Sequence, residues 1–299
     1  MPLYDEAFNM EGRKLIPGGS ALNSARACGW SFNKQTPGKG VVGYMGAIGK
    51  DARGTALADS VKDSFVEGYF QQEEETETGA CAVVVHGKER ALCANLGAAV
   101  KFSTDHLDAN MDKVKNASMI YASGFFITSN AKALRQIADA CAEQDKVFAF
   151  NLSAVFVIQF YLDDVKYAIE RADFVFGNED ECDAFGKAIG MEGASREDVT
   201  KAILAMPKTN PKRDRHVITT QGSLPVIVTT LNSEGKTHTD LVPLDPIDKS
   251  KIVDTNGAGD SFVGAFFAGL VQGKSVTDCV KAGNNLAGIV ICKDGCTFE

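Results

Sequence analysis

Along the chain, apolar runs typical of strands alternate with stretches whose apolar residues have helical spacing. Five short runs are rich in β-branched and aromatic residues and have the length of buried strands, namely VVGYMGAIG, SMIYASGFF, KVFAFNLSA, DFVFGN and RHVITTQG. Stretches with apolar residues at helical spacing follow them, such as AKALRQIADACAEQ and TDCVKAGNNLAGIVI. Strand and helix in repeated succession indicate βαβ units. The pattern therefore predicts an α/β fold with a mostly parallel central sheet that is covered on both faces.

One region breaks this alternation. Between about Tyr69 and Ala99, the strand-like runs TGACAVVVHG and ALCANLGAA are separated only by the polar segment KER. Two strands without a helix between them predict a β-hairpin, and a hairpin that interrupts a βα array is typical of a small lid. We expect a large α/β domain over 17–69 and 100–299, and a small, partial β lid over 1–16 and 70–99.

Composition and charge argue against several classes of partner. The chain has 299 residues, is 44% hydrophobic and carries a net charge of −8, so it can bury a full core but offers no basic face to nucleic acid. Its longest purely apolar run is far shorter than the roughly 20 residues that span a bilayer, and its N-terminus lacks the pattern of a signal peptide. We expect no nucleic acid or membrane partner, and a cytoplasmic location with the nucleus as an alternative.

The eight cysteines are scattered along the chain. This spacing favours reduced thiols over a disulfide framework. Only Cys292 and Cys296 lie close together, and no histidine or second cysteine pair stands at zinc-binding spacing, so we expect no structural metal.

The strongest candidate site is DTNGAGDSF at 254–262. The preceding IVDT resembles a strand and the following residues carry the apolar stripe of a helix, so the stretch predicts a strand, a glycine turn and a helix. Gly257, Ala258 and Gly259 leave backbone N–H groups open to an anion, and the helix N-terminus adds partial positive charge. Asp260 could simply cap this helix. A carboxylate beside an anion site is unfavourable unless it takes a proton, so the alternative to a cap is that Asp260 is a catalytic base.

A second candidate is PGGSALNSARACGW near the start of the chain. Pro17, Gly18 and Gly19 predict a turn, and Ser20 is a natural N-cap for the helix that follows. Asn23 stands one turn into that helix. It belongs either to an ordinary capped helix or to a site where its amide meets a ligand hydroxyl.

A third candidate is FGNEDE, where a strand ends and a helix begins. Asn178 and Glu181 have the spacing of a capping box, which is one explanation of the motif. The other is that Glu181 holds a magnesium ion through water, because Mg²⁺ prefers one or two carboxylates and several waters. The residues alone leave both open.

Together these stretches resemble a known family. PGGSALNSA and DTNGAGDSF resemble the two signature regions of the ribokinase/PfkB carbohydrate and nucleoside kinase family, and FGNEDE resembles its N-x-x-E motif. Several more segments are similar, in order and spacing along nearly the whole chain, to members of this family that act on adenosine. These segments are KERALCANLGAA, GFFITSN, FAFNLSAVFVIQFY, PKTNPKRDRHVITTQG, IVDTNGAGDSFVGAFFAGLV and GCTF.

The resemblance implies a ribokinase-like three-layer fold whose large domain binds nucleotide. It also implies transfer of the γ-phosphoryl group of ATP to the 5′-hydroxyl of adenosine, which gives AMP and ADP in purine salvage and requires Mg²⁺. The implied small-molecule partners are adenosine and ATP, and the resemblance alone favours a monomer.

The resemblance also implies roles for individual residues. Asp260 would accept the hydroxyl proton, the amides of Gly257, Ala258 and Gly259 would form the anion hole, and Arg90 on the lid would close over the phosphates. The implied substrate ligands are Gly19, Ser20 and Asn23 for the ribose, and Leu92, Ala94, Phe126 and Phe156 for the adenine. The implied ATP ligands are Asn178, Thr220, Gln221, Gly222 and Asn284, with Glu181 reaching Mg²⁺ through water.

The chain also departs from the family pattern. Family members begin with a strand that carries a G-N-P-x-x-D-type motif, and its aspartate holds the ribose diol; no segment here corresponds to it. We therefore expect one strand and part of the lid to be missing. Two alternatives stay open, a sugar kinase of the same family and a nucleoside-binding pseudoenzyme. Phe126 and Phe156 favour a flat purine over a free sugar, which needs more hydrogen-bonding groups.

Overall fold

The computed structural model describes residues 6, 9–37, 42–86, 89–232 and 234–298. The strands are β1 Val42–Gly49, β2 Val66–Glu73, β3 Thr78–His86, β4 Glu89–Gly97, β5 Met119–Ser123, β6 Val147–Asn151, β7 Phe174–Asn178, β8 His216–Gln221, β9 Leu224–Leu231 and β10 Thr237–Val242. The helices are α1 Ser20–Gln35, α2 Ala52–Lys62, α3 Thr104–Ala109, α4 Met111–Asn116, α5 Phe125–Glu143, α6 Val155–Phe160, α7 Leu162–Ile169, α8 Glu179–Ala188, α9 Arg196–Ala205, α10 Ala258–Val271 and α11 Val276–Val290.

The central sheet of the described residues has the strand order β10-β9-β8-β7-β6-β5. Strands β5 to β8 pair in parallel, so their carboxyl ends lie at one edge. This confirms the predicted mostly parallel sheet. Strands β9 and β10 were not predicted, and they extend the sheet in antiparallel fashion. The tight turn at Gly222, with φ of 55°, returns the chain directly from β8 to β9, so no helix follows β8.

Apolar residues cover both faces of this sheet. In β6, Phe148 and Phe150 are fully buried and face one cluster together with residues of α5, α7 and α8. Ala149 lies between them and faces the opposite cluster, where it joins Phe262 and Phe266 of α10. Successive strand residues point to opposite faces, so a strand that is apolar throughout requires helices on both sides. The result is a three-layer α/β/α arrangement.

Two smaller strand pairs stand outside the central sheet. Strands β1 and β2 pair in parallel through the connecting helix α2. Strands β3 and β4 form the predicted antiparallel hairpin, although residues 87–88 at its tip lie outside the described part of the chain. Asp51 ties the hairpin to the body, since its carboxylate accepts hydrogen bonds from the Thr78 backbone N at 2.7 Å and from Thr78 Oγ1 at 2.8 Å. The proposed division into a large domain and a lid stays a prediction.

The prediction of a strand at IVDT is wrong. Residues 252–255 pair with no described strand. The backbone N–H groups of Val253 and Asp254 both donate to the carbonyl of Ile291, which follows α11. The side chain of Asp254 accepts a hydrogen bond from the Asn256 backbone N at 2.9 Å. Asp254 therefore stabilises the turn that leads into α10 instead of ending a strand.

The described residues include no helix long and apolar enough to cross a membrane. All eight cysteines are free thiols, as their spacing predicted.

Candidate active site

The glycine turn before α10 has a geometry that only glycine can adopt without strain. Gly257 is the N-cap residue and lies in the left-handed region, with φ of 74°. A Cβ atom there would stand 2.8 Å from Cβ and 2.9 Å from Sγ of Cys296. The carbonyl of Gly257 accepts hydrogen bonds from both the backbone N, at 2.8 Å, and the Oγ, at 2.6 Å, of Ser261. Packing and hydrogen bonds together fix the orientation of this turn.

Open space lies in front of the first turn of α10. Apart from its chain neighbours and the backbone of α10, a Cβ atom on Gly259 would have no atom within 4 Å. Of the first N–H groups of α10, that of Ala258 donates to the Thr255 carbonyl at 3.4 Å, and the helix dipole places partial positive charge at this end. These features are the ones that an anion-binding helix N-terminus needs. The anion hole of Gly257, Ala258 and Gly259 stays a prediction that this geometry permits.

Two side chains of α1 hold the carboxylate of Asp260. The Oγ of Ser20 donates to Oδ1 of Asp260 at 2.7 Å, and Nδ2 of Asn23 donates to Oδ2 at 2.9 Å. The prediction that Ser20 caps α1 is wrong, because Gly19 occupies the N-cap position with φ of 107°. The hydroxyl of Ser20 is thus free to reach α10. The structure brings Ser20, Asn23 and Asp260 together.

The two helices approach each other closely enough for this contact. On Gly264 of α10, a Cβ atom would stand 2.5 Å from the carbonyl oxygen of Ser24 and 2.5 Å from Cβ of Ala27 in α1. The missing side chain of Gly264 therefore lets the two backbones touch. Asp260 lies one helical turn before Gly264, which places it opposite the first turn of α1.

Opposing effects set the pKa of Asp260. By surface area the residue is half-buried, yet protein atoms crowd its carboxylate, and this loss of water raises the pKa above its ordinary value. The hydrogen bonds from Asn23 and Ser20 favour the ionised form and oppose the rise. A raised pKa suits a group that must accept a proton near neutral pH.

The FGNEDE motif forms both hydrogen bonds of a capping box. The backbone N of Glu181 donates to Oδ1 of Asn178 at 2.8 Å, and the backbone N of Asn178 donates to Oε2 of Glu181 at 3.0 Å. Only 6% of the surface of Glu181 is exposed, and burial raises the pKa of its carboxyl to about 7. The helix-capping explanation is therefore confirmed. A magnesium role for Glu181 stays a prediction.

The predicted nucleotide ligands lie in different surroundings. Thr220 and Asn178 are register partners at the carboxyl ends of the parallel strands β8 and β7. Gln221 is already engaged, because its Nε2 donates to the carbonyl of Pro225 at 2.7 Å. Gly222 forms the turn that follows. Asn284 lies on α11, and its buried Nδ2 has no hydrogen-bond partner among the described residues.

The predicted adenine ligands are apolar groups on separate elements. Phe126 packs edge-on against Phe102 with ring centroids 5.2 Å apart, at the margin of the core. Phe156 pairs with Phe125 at 6.0 Å, and both rings are exposed. Leu92 and Ala94 are exposed on β4. The side chain of Arg90, on the same strand, lies outside the described part of the structure.

Sequence reasoning missed a polar group of residues at the ends of β5 and β6. Ser153 adopts φ of 68°, and its Oγ lies 2.9 Å from Oγ of Ser123 and accepts a hydrogen bond from the Gly124 backbone N at 2.9 Å. A non-glycine residue in this region marks local strain, which often accompanies functional sites. Tyr121 of β5 belongs to the same polar surroundings, and its buried hydroxyl faces the side chains of Asn151 and Ser24. Their position just before or after a strand end was the only signal in the sequence.

The described residues contain no group of three or more His, Cys, Asp or Glu side chains that could hold a metal ion. Glu181 offers one buried carboxylate near the expected nucleotide ligands. Such a donor fits Mg²⁺ only when water and substrate phosphates complete its coordination, as is usual for this ion.

The fold and this site together define a ribokinase-like phosphotransferase. In this three-layer α/β/α fold, a glycine turn forms the N-terminus of α10, and an acid held by two hydrogen bonds stands beside that turn. The model of the pfkB family carbohydrate kinases matches residues 4–299. The chain belongs to this family, which confirms the fold class and the family predicted from the sequence.

Relatives of known activity match over the whole chain. The chain is 38% identical over 300 residues to adenosine kinase 2 of Arabidopsis thaliana, covering 100% of this chain and 84% of the relative. It is 34% identical over 298 residues to the adenosine kinase of Saccharomyces cerevisiae, again covering 100% and 84%. Among solved structures, Anopheles gambiae adenosine kinase in complex with P1,P4-di(adenosine-5) tetraphosphate superimposes with a TM-score of 0.92 at 36% identity, covering 99% of this chain and 86% of that one. Schistosoma mansoni adenosine kinase in complex with 2-fluoroadenosine gives 0.91 at 30% identity, covering 100% and 86%.

Proposed function

We propose that this chain transfers the γ-phosphoryl group of ATP to the 5′-hydroxyl of adenosine and so releases AMP and ADP. The observation that carries the proposal is the carboxylate of Asp260, which Ser20 and Asn23 hold at the N-terminus of α10. An acid in that place repels phosphate unless it accepts a proton during the reaction. The similarity to adenosine kinases supports adenosine as the acceptor.

Asp260 accepts the proton of the attacking hydroxyl. The oxygen then bonds to the γ-phosphorus while the bond to the β-phosphate oxygen breaks, and the proton stays on Oδ1 or Oδ2 until it returns to solvent. Amides at the start of α10 stabilise the negative charge on the phosphoryl oxygens, and Arg90 adds its charge from the lid. Phosphoryl transfer depends mainly on such positioning and charge stabilisation.

ATP lies along the carboxyl edge of the sheet. Asn178, Thr220 and Gly222 come from the ends of β7 and β8, and Gln221 contributes through its backbone because its side chain is engaged. Asn284 has an unpartnered amide donor, which a nucleotide acceptor would satisfy. Glu181 would hold Mg²⁺ through water, and the ion would supply charge neutralisation of the phosphates when bound.

Adenosine occupies the space between the lid and the large domain. Gly19, Ser20 and Asn23 meet the ribose, which brings the 5′-hydroxyl to Asp260. Leu92, Ala94, Phe126 and Phe156 surround the adenine. The exposed aromatic pair of Phe125 and Phe156 offers a flat apolar surface of the kind a purine covers.

ADP release with adenosine, ribose and fructose as acceptors tests this function. We expect adenosine alone to stimulate ADP formation, and D260N to lose at least about a thousandfold in kcat. D105N is the matched control, because Asp105 is an exposed acid in the first turn of α3. Stimulation by a free sugar only would establish the sugar kinase alternative. Adenosine binding without ADP release would establish the pseudoenzyme, and an active D260N would refute the role of Asp260.

A further inference from the structure

The carboxylate of Asp260 is held on both of its oxygens by side chains of α1. Ser20 donates to Oδ1 and Asn23 to Oδ2, at 2.7 Å and 2.9 Å. Residues that served only to bind ribose would have no need to contact the acid. We propose that Ser20 and Asn23 are positioning residues, which keep the carboxylate of Asp260 ionised and aim it at the attacking hydroxyl. This inference rests on the proposed function of Asp260.

The arrangement of the two helices makes this contact rigid. Ser20 and Asn23 are three residues apart, so they lie on the same face of α1. Gly264 lets α1 and α10 touch one turn further along, where a Cβ atom would meet the carbonyl oxygen of Ser24 at 2.5 Å. The backbone contact at Gly264 therefore sets the distance that Ser20 and Asn23 have to span. We assign Gly264 as a third positioning residue for the same reason.

Among the described residues, no positively charged side chain lowers the pKa of Asp260 in place of these hydrogen bonds. The two titratable groups whose charge would be felt by Asp260 are Tyr121 of β5 and Cys296 after α11. Burial raises the pKa of both groups, that of Cys296 to about 11, so both are neutral at pH 7. Glu181 also acts on Tyr121, and it is not among the groups that shift the pKa of Asp260. The hydrogen bonds from Asn23 and Ser20 are therefore what opposes burial at Asp260.

The pH dependence of kcat/KM for adenosine separates positioning from ribose binding. In S20A, we expect the acidic limb to move to higher pH by about one unit, because one hydrogen bond to a charged group is lost. A change in the KM for adenosine at pH 8 reports the ribose contact that the proposed function also gives Ser20, whereas a displaced limb reports the ionisation of the base. S20T, which keeps the hydroxyl, should restore the limb.

Two further variants complete the test. G264A should move the limb in the same direction because its Cβ forces the helices apart; if it does not fold, the pair S20A and S20T decides the matter alone. The pH profile of E181Q identifies the limb that is due to Glu181. NMR titration of the carboxyl carbon of Asp260 measures the ionisation of the base directly, without substrate. An unmoved limb in S20A, with or without a rise in KM, would overturn the positioning role. An active D260N would instead overturn the proposed function of Asp260, so the two failures are distinguishable.

Discussion

Replacing Gly257 with alanine perturbs the turn before α10 in two independent ways. The residue has φ of 74°, a conformation that costs a residue with a Cβ atom about 1–2 kcal/mol. The new Cβ would also lie 2.8 Å and 2.9 Å from the Cβ and Sγ of buried Cys296. Forcing an extra methyl group into a packed site costs about 1–3 kcal/mol. We expect G257A to lower the free energy of unfolding by about 2–5 kcal/mol, the sum of both effects.

Gly190 provides a matched control for the backbone part of this cost. It has a similar φ of 84°, but a Cβ atom there would meet nothing within 4 Å. G190A should therefore cost only the conformational part, about 1–2 kcal/mol. The difference between the two variants isolates the contact with Cys296, and it should be about 1–3 kcal/mol.

Urea unfolding of both variants measures these free energies, and ADP release with adenosine measures activity. G257A should lose at least about tenfold in kcat/KM, because the turn moves away from Cys296 and carries its amides with it, whereas G190A should keep wild-type activity. Equal stabilities of the two variants would refute the steric argument. Wild-type activity in G257A would show that the orientation of this turn does not matter for catalysis.

Two other residues allow sharp tests. Burial raises the pKa of the Glu181 carboxyl in the folded protein to about 7, above the ordinary 4.5. As the pH rises from 4.5 to 7, the wild type should therefore lose up to about 3 kcal/mol of stability relative to E181Q, measured by urea unfolding across this range. Equal pH profiles of stability for the two proteins would contradict the burial argument. At Asp51, burial would raise the pKa, but hydrogen bonds from Gly54 and Thr78 outweigh this effect, and the pKa is lowered. The stability that Asp51 contributes is therefore present at pH 7 and lost in acid. D51A should cost about 1–2 kcal/mol at pH 7 and raise the KM for adenosine because the lid loses its anchor, and an unchanged KM would separate Asp51 from lid function.

Local periodicity was enough to find the parallel strands of the central sheet and the hairpin. The strand-like runs correspond to β1, β5, β6, β7 and β8, because a buried parallel strand is apolar throughout and flanking glycine or polar residues mark its ends. The same reasoning missed β2, and it missed β9 and β10 because it expected a helix after every strand. It also assigned IVDT to a strand, because a β-branched segment can be extended without a partner. The spacing of apolar residues indicates whether a segment is extended or helical, whereas strand pairing depends on which other segment lies beside it in the fold.

The chemistry of the site was predictable only in part. A glycine turn followed by an acid at a helix start indicated an anion site and a base, since both properties follow from local backbone geometry. The partner of Ser20 could not be found in this way, because Asp260 is 240 positions away along the chain. Local rules favoured an N-cap role for Ser20, and the glycine before it took that position instead.

The contact between α1 and α10 explains why two distant motifs form one site. Each motif alone starts a helix, and neither determines where the other lies. Gly264, one turn after Asp260, removes the side chain that would keep the helices apart, so the first turns of both helices meet at the carboxylate. Side chains placed on packed helices are held more firmly than those on loops. The position of the Asp260 carboxylate is therefore set by the packing of α1 against α10. A substitution at Gly264 should change the hydrogen bonds of Asp260, although Gly264 itself contacts no proposed ligand.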